Sequence, residues 1–157
     1  PDNTEGGGSL RGMNLLQIDT VFRPSKTTTQ TRGTLLEIDG VLSDLSGLAV
    51  EGYEIHMGET VRDASAKPLV RLLRREGEIE DGCQTENAFG TYLHGVFDAP
   101  KAALRTAQAL AKKKGVTLTG EALDTHAYKE QQYDKLADSV RKSLDMEWIY
   151  RIMEGKA

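Results

Sequence analysis

The sequence predicts an α/β domain, with strands first and two helices last. Two observations predict it. Between residues 13 and 97 the apolar residues come in short runs broken by Gly, Pro and Asp-Gly. After Phe97 the apolar spacing lengthens to three and four, and Ala, Leu and Lys dominate. At 157 residues the chain suits one compact domain with a core of its own.

Residues 1–12 are Gly-rich and expected to be a flexible segment, because ordering glycine is entropically costly. The domain proper is expected over 13–157, strand-rich over 13–97 and helical over 98–154. Met13–Phe22 reads as the first strand, with Leu15, Leu16, Ile18, Val21 and Phe22 apolar. Pro24 is expected to end it, since proline cannot donate to a ladder. A second strand spans Thr27–Ile38, and Asp39-Gly40 signals a turn. Leu48–Met57 is a third strand. Val70–Arg74 and a short segment before Glu86 read as a hairpin around Glu76-Gly77-Glu78. Thr91–Leu93 follows as a short strand. The first helix is expected over Lys101–Lys114, with Asp98 as N-cap, Pro100 in the first turn and Gly115 as the stop. The second runs from about His126 to Met153. Its apolar face holds Tyr133, Leu136, Val140, Leu144, Trp148 and Ile152, and a break is allowed near Asp145. There is no internal repeat.

Composition narrows the function classes. A formal net charge of −4 gives no basic footprint for nucleic acid. The Lys112-Lys113-Lys114 run reads as a solvated helix end that suits the macrodipole. No apolar run approaches the roughly 20 residues that a membrane helix needs. The polar N-terminus is no signal peptide. A lone cysteine excludes an internal disulfide and points to a reducing compartment, the cytoplasm. The chain begins with Pro rather than Met, and is expected to be a piece of something longer.

Five residues are candidates for chemistry: His94, His56, Glu54, His126 and Cys83. His94, in Gly90-Thr91-Tyr92-Leu93-His94-Gly95-Val96-Phe97, sits where a strand breaks at glycine. Strand ends present catalytic side chains, and an imidazole there can shuttle protons near neutral pH. His56 lies in Gly52-Tyr53-Glu54-Ile55-His56-Met57-Gly58. Glu54 and His56 share a strand face because the side-chain period is two. The pair could bind a zwitterionic ligand, orient each other, or be a plain surface ion pair. His126, at a helix start, reads as solvated or capping. Cys83 has no following helix and has acidic neighbours, which oppose thiolate formation, so it reads as non-catalytic. The histidines and the cysteine are scattered, and no metal site is expected. Gly6-Gly7-Gly8 lacks the lysine and the strand–helix setting of a phosphate loop.

A series of motifs is specific. Leu15–Phe22, Lys26-Thr27-Thr28, Gly52–Gly58, Gly90–Phe97 and Tyr133-Asp134-Lys135-Leu136-Ala137-Asp138 occur in this order. Together, over about 12–153, they resemble the C-terminal part of the glutaminase domain of the cobyric acid synthases. These are class I glutamine amidotransferases of the CobQ/CobB type in cobalamin biosynthesis. The related a,c-diamide synthases differ at Gly52–Gly58. The resemblance implies a flavodoxin-like amidotransferase domain. There a cysteine attacks the side-chain amide of glutamine and a histidine acts as base. The released ammonia amidates corrin carboxylates that a synthetase domain activates with ATP and Mg.

Carried over by position, His94 matches the catalytic histidine. Tyr53, Glu54 and His56 match the segment lining the glutamine pocket. The family's cysteine elbow has no match here and is expected upstream of residue 1, with residues 1–12 resembling the loop that follows it. Many class I relatives orient the histidine with a glutamate two residues on. That position is Val96, so a backbone carbonyl or another side chain such as Glu54 must hold His94. The expectation is a fragment inactive by itself, with no cofactor of its own. Its exposed apolar surface would favour a partner or a homodimer. Two alternatives stay open: a non-catalytic amidotransferase-like binding module, and a Cys83/His94 hydrolase.

Overall fold

The computed structural model describes residues 4–156 apart from residue 122. Residues 1–3 of the expected flexible segment lie outside the described residues. The chain divides into two units, Pro1–Ala122 and Leu123–Ala157.

The first unit is built on a five-stranded antiparallel sheet. Its strands are β1 (Ile18–Leu35), β2 (Ala49–Arg62), β3 (Val70–Arg74), β4 (Gly77–Asp81) and, after two short strands, β7 (Leu93–His94). Their order is β4-β3-β1-β2-β7. The short strands β5 (Cys83–Gln84) and β6 (Phe89–Gly90) pair with each other in a separate small sheet. A 3-10 turn (Gly40–Leu45) joins β1 to β2, and helix α1 (Pro100–Lys113) closes the unit. Strands therefore precede helices, as expected, and the hairpin around Glu76-Gly77-Glu78 forms from β3 and β4.

Several expectations need correction. Pro24 does not end the first strand: β1 runs through it and takes in most of the expected second strand. The pairing of β1 with β2 shifts register between Phe22 and Thr27. Residues in such a bulge stand outside the ladder, so the missing N–H of Pro24 breaks nothing. Residues 14–17 form bends, not strand. The partner of β3 is Gly77–Asp81, before the expected segment near Glu86. The residue capping α1 is Ala99, and Asp98 belongs to the preceding 3-10 turn.

Alternation sets the two faces of the sheet. Val50 and Glu54 on β2, Thr31 and Leu35 on β1, and Val70 and Leu72 on β3 are buried. Their neighbours in sequence point the other way. The core is Leu35, Ile38, Leu45, Leu48, Val50, Leu69, Val70, Leu72, Leu93 and Ala102, with Val96 and Ala99 packed against it. Arg105 ties α1 to the 3-10 turn by donating to the Asp44 carbonyl at 3.0 Å.

The second unit holds α2 (Thr125–Ser143) and α3 (Met146–Met153). The expected single helix is thus two. Leu144 is extended, and Asp145 caps α3 by accepting from the Trp148 N–H at 2.9 Å. Asp124 caps α2 by accepting from the Ala127 N–H at 3.0 Å, so His126 is an exposed first-turn residue rather than a cap. Among the described residues no helix is long and apolar enough to cross a membrane.

Candidate functional site

β7 is only two residues long and pairs with β2 through Tyr53↔His94 and Glu54↔Leu93. Directly opposed residues in an antiparallel pair share a face. Tyr53 and His94 therefore stand together on the open face, while Glu54 and Leu93 turn to the buried one. The approach of the two backbones is close. A Cβ at Gly52 would lie 1.9 Å from the His94 carbonyl oxygen, so only glycine fits there. Gly95 follows in the left-handed region at φ 88°, which turns the chain off the sheet directly after His94.

The His94 ring is exposed, and its Nε2 lies 3.4 Å from the Ile55 carbonyl oxygen. A backbone carbonyl thus accompanies the imidazole. Val96 packs against the core and offers it nothing. Glu54 does not fill that role either: it lies on the opposite face and has other partners. The open face also carries Ile55 (43% exposed) and Leu73 (54% exposed) beside Tyr53 (56% exposed).

Glu54 and His56 meet on the buried face, as the strand period requires. Glu54 is 1% exposed, and its Oε1 lies 2.7 Å from Nε2 of His56. Nδ1 of His56 lies 2.7 Å from the Gly58 carbonyl oxygen. Facing two acceptors, the ring can serve both only with two N–H donors. Arg74, from β3, donates to the same Oε1 of Glu54. Oε2 of Glu54 is buried without a hydrogen-bond partner. Tyr92 stacks on His56, with ring centroids 4.5 Å apart and planes 28° off parallel. Its hydroxyl lies 2.8 Å from Oγ1 of Thr60, which lies 2.8 Å from Oγ1 of Thr20. Glu54, His56, Thr60, Arg74 and Tyr92 border an open pocket of about 360 Å³ that Arg23, Glu59 and Glu80 also line.

The four expected site residues therefore fall into two pairs on opposite faces of β2. Sequence reasoning missed Arg74, Tyr92 and Asp81. The Asp81 carboxylate accepts from Oγ1 of Thr91 at 2.6 Å and from the Tyr92 N–H at 3.2 Å. Nothing local in the sequence marks Arg74 or Asp81, because both act across strands. Tyr92 was legible as part of the His94 segment but not as a partner of His56.

Cys83 is 1% exposed in the small sheet, with no helix N-terminus following it. Cys83 pairs with Gly90 in the small sheet and His94 pairs with Tyr53 in the five-stranded one, and this weakens the Cys83/His94 hydrolase alternative. Among the described residues no three His, Cys, Asp or Glu side chains could hold a metal ion.

The comparisons with known proteins define a class first. Residues 1–102 match the CobB/CobQ-like glutamine amidotransferase domain. The chain belongs to that family. Its curated relatives are more particular. It is 44% identical to cobyric acid synthase of Citrobacter koseri over 98% of this chain and 31% of the relative. It is 42% identical to cobyric acid synthase of Ruminiclostridium cellulolyticum over the same shares, 98% and 31%. The cobyric acid synthase of Lachnoclostridium phytofermentans is 41% identical over 98% of this chain and 32% of its own length. The chain spans about a third of the length of these relatives.

Proposed function

We propose that this chain is the C-terminal portion of the glutaminase domain of a cytoplasmic cobyric acid synthase, and that His94 is its catalytic base. The observation that carries the reading is the placement of His94. Its imidazole stands on an open sheet face, beside Tyr53 and above the Ile55 carbonyl. A base needs such access to meet a nucleophile and a substrate.

In this reading the nucleophile is a cysteine upstream of residue 1. His94 takes the thiol proton as sulfur attacks the side-chain amide carbon of glutamine. It returns that proton to the leaving nitrogen, and ammonia departs. Water, deprotonated by His94, then cleaves the thioester to glutamate and restores the thiol. Tyr53 contacts glutamine from the His94 side. Glu54 and His56 shape the same segment from behind, through the strand they brace. The exposed Tyr53, Ile55 and Leu73 fit a face that more of the same domain covers. The ammonia would amidate corrin carboxylates. ATP and Mg would be bound by a synthetase portion outside these residues. The strand-rich 13–97 and helical 98–154 segments are then parts of one domain, and a homodimer belongs to the same reading.

The test compares this polypeptide alone with the same polypeptide joined to its upstream reading frame. Ammonia release from glutamine is expected only from the joined form, and His94→Ala abolishes it there. Ammonia release by the chain alone, lost on His94→Ala, would overturn the proposed division of the site.

A further inference from the structure

A two-residue strand is a weak support for a catalytic side chain, since two ladder positions leave the segment free to fray. The hydrogen bond of the His94 ring to the Ile55 carbonyl oxygen is a long one, 3.4 Å. Something else must set the direction of the imidazole. The candidates lie on the other face of the sheet. Tyr92, two residues before His94, is held at both ends: its ring lies on His56 and its hydroxyl on Thr60. His56 is fixed between Glu54 and the Gly58 carbonyl. Glu54 is fixed in turn by Arg74. The line runs from β3, over β1, to β2 and on to the β7 edge.

We propose that Arg74 and Tyr92 are positioning residues for His94. Arg74 pins the Glu54 carboxylate, which fixes the rotation of His56. The His56 plane then sets where Tyr92 stacks, and Tyr92 anchors the approach to His94. Neither residue touches the open face. Their effect passes through the backbone of residues 92–94, which Asp81 holds from the other side through Thr91 and the Tyr92 N–H. Removing Arg74 leaves Glu54 buried with one partner instead of two, and His56 free to follow it. Removing the Tyr92 hydroxyl frees one end of the ring.

This positioning role rests on the reading of His94 as the base, and the imidazole is read here in place of the reaction. The two can fail separately. The experiment is side-chain NMR of the three histidines in the 157-residue chain, assigned by single His→Gln variants. In the unaltered chain, His94 ring protons are expected to show cross-peaks to Tyr53 and Ile55. Arg74→Gln should erase these cross-peaks and broaden the His94 ring signals. Arg74→Lys, which can still pair with Glu54, should restore them. Arg71→Gln, on the same strand and paired with Glu78 and Glu80, should leave them intact. A purely structural role predicts the same cross-peaks in Arg74→Gln and Arg71→Gln, and that result would overturn the proposal. Should Arg74→Gln fail to fold, Tyr92→Phe decides. It keeps the stack, loses the hydroxyl anchor and is expected to weaken the His94 cross-peaks. Unchanged cross-peaks in that variant would also overturn it.

Discussion

Arg74 on β3 and Glu54 on β2 are joined by an ion pair that reaches across the intervening strand β1. Glu54 is 1% exposed, and His56 shares the same carboxylate oxygen. Removing the carboxylate by Glu54→Ala strands two donors beside a buried void. Breaking a buried pair by deleting one partner costs about 3 kcal/mol. Glu54→Gln should cost less, since the amide oxygen still accepts from one of the two. Urea unfolding followed by Tyr and Trp fluorescence should show the midpoint falling in the order wild type, Glu54→Gln, Glu54→Ala.

Gly52→Ala addresses the junction of β2 with the His94 strand. Its new Cβ would meet the His94 carbonyl oxygen at 1.9 Å. Backbone cannot yield as a flexible side chain does, so β7 must move away from β2. The expected loss is about 2 kcal/mol or more. Amide exchange should localise it, with protection lost at residues 93–94 and kept at Val70–Leu72. Uniform protection across both segments would count against that assignment.

The strand-then-helix order was legible because hydrophobic period and turn residues are local signals. The same holds for the Glu54–His56 pair, which needs only a period of two. Reading Pro24 as a stop failed for a nonlocal reason. A proline is tolerated in a strand when the partner strand leaves it unpaired, and the register of β2 is invisible from the sequence of β1 alone. The placement of His94 beside Tyr53, away from Glu54 and His56, had the same origin. It depends on which residue of β2 faces His94, a fact of pairing. The role of Asp81 was hidden for that reason too. The split of the last helix was signalled by Asp145, whose carboxylate can satisfy a free N–H at a new helix start.

Acid stability should contain a contribution from the link between β2 and β3. The Asp63 carboxylate accepts from the Ser65 N–H at 2.9 Å and from its hydroxyl at 2.8 Å. These bonds hold the carboxyl below its ordinary value of 3.8. A group with a lowered folded pKa adds stability above its unfolded pKa and loses it as pH falls through the folded one. Asp63→Asn keeps an acceptor oxygen without a titration. The variant should therefore show a shallower decline in stability below about pH 4 than the parent. Parallel thermal melts from pH 5 downwards measure the difference, and identical slopes would remove Asp63 from the acid response.

Cys83 offers a probe of global opening, because its thiol is 1% exposed within the first unit. A buried thiol reacts with a soluble disulfide reagent only when the structure opens. Leu72 is fully buried at the centre of the same unit, and Leu72→Ala should cost about 2–5 kcal/mol. If labelling of Cys83 needs global unfolding, its rate must rise by about tenfold for each 1.4 kcal/mol lost. The rate in Leu72→Ala should then be at least about tenfold above that of the parent at neutral pH. A Cys83 that served as a nucleophile would instead react quickly in the folded parent, and Leu72→Ala would barely change its rate. Labelling rates of the two proteins, set against their unfolding free energies, separate a core thiol from a reactive one.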